Sequence, residues 1–113
     1  MAADPSTSEA IAALSALALA VRDRFAQFEM REIGREWTTA EIMSGFVVDV
    51  GDLMRLVMAA TGSRQISDVE SKIGHELADC LWCVLVLADR LNIDLATAFE
   101  ATMSDLTKFL ERS

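Results

Sequence analysis

Apolar residues recur along most of this chain at intervals of three and four, and no stretch alternates residue by residue between apolar and polar. That period is helical. The run IAALSALALAVRDRFAQF predicts a first helix over 9–32, apolar at its start and amphipathic toward its end. Residues 1–8 read as a flexible leader to a single helical domain spanning 9–113. Segment 31–37, REIGREW, breaks the pattern at Gly34 and predicts a loop. Thr38-x-x-Glu41 is a capping-box signature opening a second helix over 40–60. That helix is expected to stop at Thr61-Gly62-Ser63, with Gly62 in the left-handed conformation. Ser67-x-x-Glu70 predicts a cap for a third helix over 68–91, ended by Asn92, and Asp94 a cap for a fourth over 95–110. Four helices with short connections predict an all-α fold, an antiparallel four-helix bundle.

The middle of the third helix changes the picture. Its residues 80–88, CLWCVLVLA, are apolar on every side, so the helix is expected to be buried all round. Four short helices rarely cover one of their number completely. A second copy of the chain would do so, and a homodimer or homotetramer is therefore expected.

Composition narrows the class. With 52% hydrophobic and 25% charged residues, the chain has enough apolar surface to offset the entropy of ordering, which argues against disorder. The net charge of −8 disfavours binding of a nucleic-acid duplex through a basic patch. The first ten residues carry no Lys or Arg, unlike a secretory signal, and an apolar run of nine is about half a membrane span. A cytoplasmic protein with no membrane partner is the expectation, its two cysteines reduced.

Chemistry concentrates on helices two and three. Asp49 and Asp52 are three residues apart, as are Glu76 and Asp79, so each pair shares one helix face. Both pairs border an apolar stripe, Ile42, Phe46, Val50, Leu53 and Val57 in one case and Ile73, Leu77, Cys80 and Val84 in the other. Packing those stripes together brings the acidic borders together, and four carboxylates at a half-buried seam repel one another unless a cation intervenes. Oxygen-only ligands suit Mg²⁺ or Mn²⁺. A solvated acidic face is the competing account of the same residues. Lys72 could neutralise phosphate or pair with Glu76 one turn on, and Lys108 is a second candidate cation. Trp37 and Phe46 could stack on a base or belong to the core. His75-Glu76-x-x-Asp79 lacks the second histidine of a zinc-protease helix. Cys80-x-x-Cys83 lies mid-helix in apolar sequence and reads as buried structural thiols.

The segments VDVGDLM (48–54), HELADCLW (75–82) and LADRLNIDLA (87–96) together resemble the MazG-type all-α nucleotide pyrophosphohydrolases, a superfamily that includes dimeric dUTPases and dCTP pyrophosphatases. The resemblance runs over 37–99. The family pattern, ExxE on one helix and ExxD on the next, falls here on Asp49, Asp52, Glu76 and Asp79. It implies Mg²⁺ or Mn²⁺ held by those four, Glu76 and Asp79 as catalytic residues, and Lys72, Trp37 and Lys108 as nucleotide-binding residues. The implied reaction is hydrolysis of a nucleoside triphosphate to monophosphate and pyrophosphate, a house-cleaning of the nucleotide pool. Two features depart from the family. Both acids of the first pair are aspartates, shorter than glutamate by one methylene, and the stretch 101–108, ATMSDLTK, lacks the family's asparagine. Those departures keep a second class open, a catalytically silent MazG-like dimer that binds or regulates.

Overall fold

The computed structural model describes residues 2–62 and 65–112 as four α-helices, with no strand among the described residues. Helix α1 is Pro5–Ile33, α2 is Thr39–Thr61, α3 is Val69–Arg90 and α4 is Leu95–Glu111.

Local chemistry explains most of the boundaries. Pro5 opens α1, where its missing N–H costs nothing, and the Asp4 carboxylate accepts from the Ser6 N–H at 2.8 Å. The described part of the expected leader is therefore tied down: the Asp4 N–H also donates to Glu100 on α4 at 2.6 Å. Gly34 ends α1 at φ 75°, and its N–H returns to the Met30 carbonyl at 3.1 Å. At α2 the expected capping box forms, Glu41 N–H to Thr38 Oγ1 at 3.1 Å and Thr38 N–H to Glu41 Oε1 at 2.9 Å. Asp94 caps α4 through the Thr97 N–H at 3.1 Å.

Two expectations about the turn between α2 and α3 are corrected. Gly62 is extended, φ −117°, not left-handed. Glycine is required there for a different reason: a Cβ would lie 2.7 Å from the Met58 carbonyl oxygen. Ser63, the last residue of the expected stop, lies outside the described residues. Ser67 does not cap α3 either. The cap position is Asp68, in the left-handed region at φ 60°, and no side-chain cap bond forms. A side-chain cap is made from extended backbone, which Asp68 has given up. At the far end, Asn92 takes φ 56° and the Ile93 N–H reaches back to the Ala88 carbonyl at 2.9 Å, closing α3.

The closest packing is between α2 and α3, with α1 laid against α3 and α4 against α1. Pairs that meet across α2 and α3 run Thr39 with Arg90 and then Asp49 with Cys83, so the two helices run in opposite directions. The core draws Ile42, Leu56 and Ala59 from α2, Cys83, Leu85 and Val86 from α3, Ala18 from α1 and Ala96 from α4. Trp82 fixes α1 to α3, its indole N–H donating to the Ala18 carbonyl at 3.0 Å while its ring meets Phe25 at 5.8 Å.

Within one chain α3 is not buried all round. Cys83, Leu85 and Val86 are buried, yet Leu81 is 44% exposed, because α1 and α2 cover only part of its circumference. The radius of gyration, 17.1 Å, exceeds the roughly 13 Å of a compact domain of this length. Large apolar side chains such as Leu17, Val47, Met54, Met58 and Phe99 lie exposed. No helix among the described residues is long and apolar enough to cross a membrane.

Candidate functional site

The site is built where α2 and α3 cross the middle of their shared seam. The expected apolar stripes are not what packs: Val50, Val57 and Leu77 are exposed, whereas Asp49, Asp52, Glu76 and Asp79 are half-buried and fall in the seam itself, in register with buried Ile42, Leu56 and Cys83. Carboxylate oxygens of Asp49, Asp52 and Glu76 come within 4.8 Å of one another. Glu76 belongs equally to a second group within the same limit, with Asp79 and His75. The four acids singled out from the sequence are thus brought together as two overlapping sets that share Glu76.

Their environments differ. Asp52 accepts from Arg55 at 3.2 Å and Asp79 from His75 at 3.1 Å, both one turn along the same helix. Asp49 accepts a weak bond from the Cys83 thiol at 3.7 Å. Glu76 has no such partner: its Oε2 is buried and receives no hydrogen bond among the described residues. Burial, followed by the charges of Asp49, Asp79 and Asp52, pushes the Glu76 carboxyl above its ordinary pKa, with His75 opposing. The donor set fits a hard divalent cation, being all carboxylate oxygen apart from the His75 imidazole, with one buried oxygen lacking any donor. The thiols do not join it. Burial and the Asp49 carboxylate drive Cys83 up to about 11, and burial raises Cys80 as well, so both stay protonated, unbridged and structural.

Two cavities flank the carboxylates. The larger, about 790 Å³, opens between α1, α2 and α3 and is walled by Phe25, Phe28, Trp37, Val48 and Trp82. Asp49 and Asp79 stand on its rim. The smaller, about 390 Å³, lies further along the seam, toward the end of α2 and the start of α3, and is lined by Asp52, Arg55, Leu56, Ser71, Lys72, His75 and Glu76. Trp37 lines the larger cavity together with Asp49 and Asp79. Phe46 is half-buried and is not among the residues lining the larger cavity. Lys72 faces the smaller cavity and makes no ion pair with Glu76. Lys108 is not brought to the site: it sits in the last turn of α4, which packs on α1.

The sequence reading missed a pair of residues in the larger cavity. Arg22 and Glu29, both on α1 and each about 5% exposed, line its wall and form a buried ion pair, Arg22 Nη2 donating to Glu29 Oε1. The same oxygen accepts from the Trp37 N–H at 2.7 Å. Burial alone would raise Glu29, but the Arg22 hydrogen bond, the Trp37 N–H and the Arg22 charge outweigh it and hold the carboxyl below its ordinary value. Their signal was spacing: Ala18, Arg22, Phe25 and Glu29 fall on one helical face, so two charges interrupt an inward stripe.

Comparison of the chain with protein-family models, with curated proteins and with solved structures finds no match.

Proposed function

We propose that this chain is a metal-dependent nucleoside triphosphate pyrophosphohydrolase of the MazG-like type, cleaving ribo- or deoxynucleoside triphosphates to monophosphate and pyrophosphate. The observation that carries the reading is the convergence of Asp49, Asp52 and Glu76 within 4.8 Å of one another, with Asp49 and Asp79 on the rim of an aromatic cavity. The cavity suits a planar base, with Trp37 and Trp82 in its wall. The acids suit Mg²⁺ or Mn²⁺, which would supply neutralisation of phosphate charge and a more acidic water.

Water adds to the α-phosphorus, the bond to the bridging oxygen breaks, and its electron pair leaves on pyrophosphate. The carboxylates orient that water, and one of them takes its proton. Glu76 is best matched to this task, because its Oε2 has no competing donor and its raised pKa makes it the stronger base. Exposed Leu17, Val47, Leu81 and Met54 support assembly of the bundle as a homodimer or homotetramer, and a cytoplasmic setting accords with the reduced thiols.

A second reading, a silent MazG-like dimer that binds or regulates, draws support from Arg55 and His75, which already engage Asp52 and Asp79. One experiment separates the two. The purified chain is incubated with Mg²⁺ or Mn²⁺ and a panel of triphosphates, and products are resolved by ion exchange. Monophosphate plus pyrophosphate, lost in Glu76→Ala, is the expected result. Absence of turnover across the panel would transfer the case to the silent module.

A further inference from the structure

The two cavities beside the carboxylates are opposite in character, and the four acids divide between them. Asp49 and Asp79 border the aromatic cavity, whereas Asp52 and Glu76 border the smaller one. The smaller cavity also gathers three basic side chains from two helices, Arg55 from α2 and Lys72 and His75 from α3. That gathering is conspicuous in a chain with 18 acidic against 10 basic residues.

We infer that this cavity is the subsite for the pyrophosphate portion of the substrate, with Arg55, Lys72 and His75 as its anion-binding groups. The inference rests on the hydrolase reading above and gives it a direction. A triphosphate laid across the carboxylates has two ways to lie. With the base in the aromatic cavity, the β- and γ-phosphates fall among Arg55, Lys72 and the His75 imidazole. Reversed, the polyanion would sit in a mainly apolar cavity whose one cation, Arg22, is already committed to Glu29 and whose remaining charge, apart from the rim acids Asp49 and Asp79, is Glu32. The three basic side chains are also suitably disposed. Lys72 makes no ion pair among the described residues and is 0-cost to recruit in the sense that no partner is abandoned. Arg55 rests on Asp52 at 3.2 Å and His75 on Asp79 at 3.1 Å. A divalent ion held by Asp52, Glu76 and Asp79 would compete for those carboxylates and leave Arg55 and His75 available to phosphate oxygens. Arg55 can then present its planar fork to two phosphate oxygens and Lys72 a compact charge.

Calorimetric titration of the full chain with inorganic pyrophosphate in Mg²⁺ tests the assignment without needing turnover. Arg55→Ala and Lys72→Ala are each expected to weaken pyrophosphate by on the order of tenfold, the scale of one charge-assisted hydrogen bond. Arg24→Ala, which removes an exposed charge from α1, is expected to leave it within about twofold, the scale of screened surface charge. No binding by the unaltered chain overturns the inference, as does equal weakening in all three variants, which would mean bulk charge alone. Triphosphate hydrolysis with pyrophosphate affinity indifferent to Arg55 and Lys72 overturns the inference and leaves the hydrolase intact. Pyrophosphate held through Arg55 and Lys72 without hydrolysis of any triphosphate keeps the anion subsite and removes the hydrolase.

Discussion

Glu29 on α1 and Glu76 on α3 are both carboxylates beside apolar helix seams, and burial alone would rank them wrongly. Glu29 is the more deeply buried, yet its pKa lies below the ordinary value; Glu76 is only half-buried, yet its pKa lies above. Partners account for the inversion. Glu29 has a guanidinium and a backbone N–H on one oxygen, whereas Glu76 faces three other acids and keeps a buried oxygen without a donor. A compensated buried charge holds a structure together. An uncompensated one is an opening for a ligand, and it costs stability until the ligand arrives.

The comparison can be broken most severely at the chemistry: Glu76→Ala is expected to abolish metal-dependent pyrophosphate release, while Glu29→Gln retains it, as measured by product chromatography. Next in size is stability. Glu29→Ala strands the buried Arg22 charge and should cost about 3–5 kcal/mol in denaturant melts, whereas replacing both partners with apolar residues of similar volume should cost far less. Mg²⁺ at 100-fold over its Kd should raise wild-type stability by about 2.7 kcal/mol, an increment that Glu76→Gln loses.

Acid titration of stability, with EDTA present, sharpens the contrast through opposite signs. Glu76 is raised in the folded chain, so its destabilising contribution is full above the folded pKa and disappears as pH falls toward 4.5. Glu29 is lowered, so its stabilising contribution is full above 4.5 and is lost as pH falls through the depressed value. In EDTA at neutral pH, Glu76→Gln should therefore melt higher than wild type, and Glu29→Gln lower. The smallest effect expected is Thr38→Ala, about 1 kcal/mol in the same denaturant assay, from loss of the α2 cap bond.

What was legible in the sequence was local. Thr38 with Glu41 and Asp94 with Thr97 are contacts between residues three apart, and both formed as read. The acidic pairs were legible for the same reason, since three-residue spacing on a helix fixes which side chains share a face. Arg22 and Glu29 were not, because their significance depends on the Trp37 N–H, delivered by a loop whose course no periodicity specifies. The cap at Ser67 failed because a side-chain signature does not specify backbone dihedrals, and Asp68 takes the left-handed region without a side-chain cap bond. Arg55 was not singled out, because only the packing of α2 on α3 places it in one cavity with Lys72 and His75.

The way α4 is attached has a consequence for how the molecule breathes. It packs on α1 and is tethered there by the Asp4 N–H to Glu100, while the carboxylates belong to the α2–α3 pair. Helices joined in series open from the end, so the amides of α4 should exchange with solvent sooner than those of α2 and α3. Detachment of α4 then leaves the acidic seam in register. Substitutions along α4 are accordingly expected to change the lifetime of the closed chain more than the arrangement of Asp49, Asp52 and Glu76.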